Sequence, residues 1–218
     1  MDVPLLVFLH GPGQAPPNWQ DVVSAINPDQ PMVAPWLKGL KPSDQGGFDL
    51  DAAAAAVADL IEARGAKQAD LVGYSLGGLV AMETAVSYPS MVAHVVAVST
   101  PIMPSLTALR RQRAALKLMP ARMFGDLPKQ QVIAALDAML HVKEIDYAAL
   151  RCPLLGVAAA DDPVGQSSLT SLAEQAGAVT RSLPGSDPDL PAKHPQELAV
   201  LISDFCADFL EPGVDADH

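Results

Sequence analysis

Apolar positions along this chain fall into short continuous runs, separated by segments with a helical period. "PLLVFLH" at 4–10 is apolar until Gly-Pro-Gly stops it, which predicts a strand buried on both faces. The same reasoning predicts strands at 31–35, 69–74, 94–99, 153–160 and 178–183. Between them lie predicted helices. One spans 18–26, with Asn18 as its N-cap, and another 49–64, with an Asp at its start and Gly65 just past its end. Others span 76–88 and 166–176, and a last one covers 195–210, with Pro195 suited to its first turn. Residues 105–141 read as two or three helical pieces, broken near Pro120 and Pro128.

Strands alternating with helices predict an α/β fold with a parallel sheet covered on both faces. Its ligand site is expected at the carboxyl ends of the strands. No internal repeat divides the chain. The expected organisation is a single domain, with a core from 1–100 and 151–218 and an insertion at 101–150. The insertion carries Arg110, Arg111, Arg113, Lys117, Arg122, Lys129 and Lys143, half of all positive charges. It also carries Met103, Met119, Met123 and Met139, half of the methionines. A helical lid with an adaptable apolar underside has this composition. So does an amphipathic helix pair with solvated basic faces.

Half of the 218 residues are hydrophobic, enough for a sizeable core. The formal net charge of -11 argues against nucleic acid or an anionic membrane as partner. Cys152 and Cys206 have neither metal-type spacing nor the numbers of a disulfide framework. The first residues lack a basic segment and a long apolar run, so no signal peptide is expected and a cytoplasmic location is.

"LVGYSLGGLV" at 71–80 contains Gly-x-Ser-x-Gly. A strand enters this turn and a helix leaves it, which would stand Ser75 on a sharp bend at the top of the sheet. Gly73 and Gly77 flank it, where side chains would crowd the turn. A helix N-terminus behind the serine favours a developing oxyanion. The plain alternative is a strand–turn–helix junction that happens to hold a serine.

At this motif the chain resembles the α/β-hydrolase family, and the resemblance extends over nearly its whole length. "LLVFLHGPG" is similar to the family's strand and His-Gly oxyanion loop. "MVAPWLKGLKPSD" resembles its next strand and turn, with Trp36 where Asp is usual. "CPLLGVAAADDPV" resembles the strand that delivers the catalytic acid, and "HPQELAVLISDFCADFL" the terminal helix. The resemblance implies a compact α/β-hydrolase fold of about six strands, without the family's first two, and with 101–150 in the place of its cap.

It also implies roles. Ser75 would be the nucleophile and Asp162, ahead of Pro163 and Val164, the acid, with Asp161 as fallback. Leu76 N–H would be one oxyanion donor. The second normally follows His-Gly, but here that residue is Pro12, which has no N–H, so Gly13 or another loop amide would substitute. His10 would shape the loop. Gly11, Tyr74, Met103 and Met123 would line the substrate site.

The base is the difficult assignment. Of His10, His94, His141, His194 and His218, only His194 lies between the last strand and last helix, where the family keeps its histidine. One alignment makes His194 the base, directly before the helix. The other holds the family spacing and puts Pro188 at the base position. The sequence therefore leaves two expectations. One is a serine hydrolase, a carboxylic-ester hydrolase acting on a small ester through Ser75, His194 and Asp162. The other is a catalytically impaired relative that binds a small molecule. No cofactor or metal is implied, and the apolar lid would also suit a homodimer surface.

Overall fold

The computed structural model describes residues 4–41, 43–44, 48–102 and 145–207. Between 103 and 144 it describes only 114–115, 117–120, 133, 137 and 140. Most of the lid expected at 101–150, Met103 and Met123 included, thus lies outside the described residues.

Six strands form one parallel sheet: β1 (Leu5–Leu9), β2 (Met32–Val33), β3 (Ala69–Tyr74), β4 (Val92–Val98), β5 (Leu154–Ala159) and β6 (Val179–Leu183). Their spatial order is β2-β1-β3-β4-β5-β6. From β1 the chain steps one way to β2, then back past β1 to β3. The carboxyl ends of β1 and β3 therefore flank a topological switch point, where a crevice opens.

Alternation along β1 sorts the core into two layers. Leu5, Val7 and Leu9 face α2 (Leu50–Ala63) and α3 (Leu76–Ser87). Leu6 and Phe8 face α1 (Gln20–Ala25) and α6 (Pro195–Cys206), against Trp19, Val22, Leu198 and Ile202. In α2 the buried positions are 50, 53, 54, 57, 58 and 61, a single stripe at helical period. Asp49 caps that helix, its side chain accepting from Ala52 N–H at 2.7 Å. Helix α3 is apolar nearly all round because it is covered on every side, with residues 76–85 buried.

Several boundaries differ from the sequence expectation. Asn18 does not cap α1: it lies within a 3-10 turn, Pro16–Trp19, and its Oδ1 accepts from Ala15 N–H at 2.8 Å. Strand β4 begins at Val92, and α4 (Pro163–Ala176) begins three residues earlier than expected. A short helix, α5 (Leu190–Lys193), precedes α6. No described helix is long and apolar enough to cross a membrane.

Candidate active site

Strand β3 runs straight into Ser75, which has φ +53° and ψ −119°. This is a strained conformation for a residue with a side chain, and such strain concentrates at functional positions. Two close approaches hold it. A Cβ on Gly73 would collide with the backbone of Gly77 and Gly78, and one on Gly77 would lie 2.9 Å from the His10 carbonyl oxygen. Only hydrogen fits at both positions, so helix α3 starts directly against the ends of β1 and β3. Ser75 N–H donates to the Val98 carbonyl at 2.9 Å, which ties the bend to β4.

The first loop presses on the serine from the other side. A Cβ on Gly11 would lie 2.9 Å from the Tyr74 ring and 3.2 Å from Ser75 Cβ. Gln14 N–H donates to the Gly11 carbonyl at 3.2 Å, closing a turn with Pro12 and Gly13 at its centre; Gly13 has φ +76°. Proline followed by a positive-φ glycine is the pattern of a type II turn. Pro12 brings no N–H to this loop, so a donor there must come from another residue.

His10 is fully buried, and its imidazole is used up by the backbone. Nδ1 lies 2.9 Å from the Gly11 carbonyl, and Nε2 accepts from Leu37 N–H at 3.1 Å. This arrangement needs the neutral ring, with the proton on Nδ1. Burial lowers the His10 pKa below the ordinary 6.5, against a smaller opposing pull from the Gly11 carbonyl. The unfolded chain therefore takes up a proton at a pH where the folded chain does not. The stability carried by His10 is complete above about pH 6.5 and is lost as the pH falls through that value toward the lower folded-state pKa. His10→Gln keeps an acceptor for Leu37 N–H and cannot titrate. Its Tm is expected to fall less than that of the wild type between about pH 7 and pH 5. An equal or steeper fall would refute this account of His10.

Ser75 opens into a cleft of about 310 Å³, lined among others by Tyr74, Ser99, Asp162, Ser168 and Pro188. Asp162 stands at the end of β5 and caps α4, its Oδ1 accepting from Val164 N–H at 3.1 Å. Gly165 leaves room for the other carboxylate oxygen, since a Cβ there would lie 2.7 Å from Oδ2. Asp161, the fallback acid, is exposed. Ala160 N–H donates to Leu183 O at 2.7 Å and Asp161 N–H to Gly185 O at 2.8 Å. These bonds carry the loop after β6 across the strand ends, and Pro188 arrives in the cleft.

His194 is not among the residues lining this cleft. It sits at the junction of α5 and α6, where its N–H donates to Leu190 O and its carbonyl accepts from Leu198 N–H. Its Nδ1 lies 3.5 Å from Glu197 Oε1, one helical turn on. Among the described residues no hydrogen bond joins His194 to Ser75 or Asp162. The structure thus brings together Gly11, Tyr74, Ser75 and Asp162, adds Pro188, and leaves His194 with Glu197.

Other groups at the cleft carry no motif. Ser99 follows β4 with φ +43°, and Ser168 Oγ receives the Ile102 N–H at 3.1 Å. The Gln14 side chain reaches Asp189, whose carboxyl pKa is raised chiefly by burial and further by Asp187. The Tyr74 phenol is pushed well above its ordinary pKa, first by burial and then by the charges of Asp189, Asp187 and Asp162. These three aspartates gather around Tyr74, and Lys193 Nζ lies 3.8 Å from the Asp187 carboxylate.

A parallel sheet with a strained serine between β3 and α3, and a carboxylate at the end of β5, defines a hydrolase-type scaffold. A family model described as "alpha/beta hydrolase fold" matches residues 4–140. The chain belongs to the α/β-hydrolase fold family. It is similar to epoxide hydrolase 4 of Mus musculus, 28% identical over 102 residues, which are 45% of this chain and 28% of that protein. The match therefore spans under a third of the length of that relative. Among solved structures, a carboxylesterase from Nitrososphaera gargenis superposes with a TM-score of 0.77 at 17% identity, covering 95% of this chain and 91% of that one. MenH from S. aureus gives 0.78 at 15% identity, covering 95% of each. At such identities the likeness extends to the fold alone.

Proposed function

We propose that this chain binds a small neutral or cationic molecule in the Ser75 cleft, and that ester turnover there is slow or absent. One observation carries this reading: Pro188 shares the cleft with Ser75 and Asp162, where acyl transfer needs a histidine. Proline can neither take nor give a proton. Without a base the serine keeps its unactivated reactivity. Pro12 supports the same reading, because it removes a backbone donor from the loop facing the oxyanion. Losing one such donor costs roughly a hundred- to a thousandfold in rate. The aspartates around Tyr74 disfavour an anionic ligand.

The second reading is a serine hydrolase of small esters, with Ser75 as nucleophile, Asp162 as acid and His194 as base. The strained φ of Ser75 favours it. It requires the His194 ring to leave Glu197 for the cleft. Differential scanning fluorimetry against a panel of small esters, amides and amines, with product analysis of each hit, separates the two. The first reading expects ligands that raise Tm and are recovered intact. Turnover on the order of 1 s⁻¹ or faster, within the range of working enzymes, would favour the second.

A further inference from the structure

A second cluster of reactive side chains lies at the amino ends of the strands, away from Ser75. Asp70 in β3 and His94 in β4 are register neighbours. His94 Nδ1 lies 2.8 Å from Asp70 Oδ1, and the two side chains are 10% and 2% exposed. Cys206 closes α6 and packs on the same face of the sheet. Phe205, just before it, sets its ring edge-on to the imidazole, with centroids 5.5 Å apart. A carboxylate oxygen of Asp70, a ring nitrogen of His94 and Cys206 Sγ all lie within 4.8 Å of one another.

We propose that Asp70, His94 and Cys206 form a binding site for one thiophilic divalent cation of the zinc class, tying α6 to β3 and β4. The donor set carries the assignment. Thiolate and imidazole select zinc-like ions over calcium or magnesium, which prefer all-oxygen sites. Metal–ligand bonds of about 2.0–2.3 Å put tetrahedral donors roughly 3.5 Å apart. The three atoms are therefore within adjustments of about 1 Å of that geometry. One thiolate and one carboxylate balance the two positive charges, so the loaded site is neutral, as a buried position requires. Three protein donors leave a fourth coordination position.

Loading exchanges protons for metal. The ion displaces the thiol proton of Cys206 and takes one His94 ring nitrogen, the imidazole staying neutral with its single proton on the other nitrogen, so binding tightens as pH rises. The other cysteine provides a control. Cys152 is not one of the three donors, and its thiol pKa is pushed up to about 11, chiefly by burial and further by the Asp70 charge.

The test is titration of the reduced, chelator-treated full chain with Co²⁺. One equivalent should produce a thiolate-to-cobalt charge-transfer band, stronger at pH 8 than at pH 6, and one equivalent of Zn²⁺ should bleach it. Cys206→Ser and His94→Gln should each lose the band, while Cys152→Ser keeps it. Zn²⁺ should raise the Tm of the wild type and of Cys152→Ser, but not of Cys206→Ser. Circular dichroism establishes that each variant is folded, and His94→Gln decides the matter if Cys206→Ser is not. No band in the wild type, a full band in Cys206→Ser, or a band lost only in Cys152→Ser would overturn the proposal.

Discussion

Pro188→His is expected to raise the rate of Ser75 labelling by a fluorophosphonate at least about a hundredfold, the lower end of what a positioned general base contributes. Pro188 already shares a cleft with the serine and Asp162. An imidazole there would have a hydroxyl to deprotonate and a carboxylate to hold its other nitrogen. The loop asks little of the proline itself. Its carbonyl accepts from Leu190 N–H at 2.8 Å, and a histidine backbone supplies the same carbonyl. Measured rate constants for wild type, Pro188→His and Pro188→His with Asp162→Asn check this. The account expects a large gain that the second substitution mostly removes. Equal labelling of wild type and Pro188→His would mean that position 188 does not face the serine as a base must.

The largest stability effect is expected from Gly77→Ala. The added Cβ would lie 2.7 Å from the Leu9 carbonyl carbon and 2.9 Å from the His10 carbonyl oxygen, with the Leu9 oxygen nearer still. All three are backbone atoms and cannot rotate away. Helix α3 cannot retreat either, because its buried residues are wedged between α2 and the sheet. Overpacking of this kind costs about 3 kcal/mol, toward the upper end of the usual range. For a chain of this size that corresponds to a fall in Tm of roughly 6–12 °C. Thermal and urea unfolding of the variant measure it. A change under about 1 kcal/mol would contradict the close approach of β1 to α3.

The strands were legible because buried parallel strands read as unbroken apolar runs, and β1, β3 and β5 are fully buried but for the final Tyr74. Helix α2 was legible at both ends, through the Asp49 cap and Gly65 with φ +68°. The start of α4 was not. Asp162 and Pro163 carry the signals of a capped helix start, but the sequence motif also marked Asp162 as the candidate acid; in the fold it caps α4 and lines the Ser75 cleft.

In the site, the residues near one another in sequence were the readable ones. Tyr74, Ser75, Leu76 and the two flanking glycines form one continuous bend. Pro188 and His194 could not be distinguished from sequence, because the choice depends on the path of the loop after β6. That path is set by bonds from Ala160 and Asp161 to Leu183 and Gly185. Gln14 and Asp189 meet only through tertiary structure, and no spacing in the chain announces them.

The most direct test of the account is fluorophosphonate labelling of the wild-type protein beside His194→Ala and Ser75→Ala. The account predicts slow labelling of equal rate in the wild type and His194→Ala, and none in Ser75→Ala. Fast labelling of the wild type that His194→Ala abolishes would contradict it, and would make His194 the base of a working serine hydrolase.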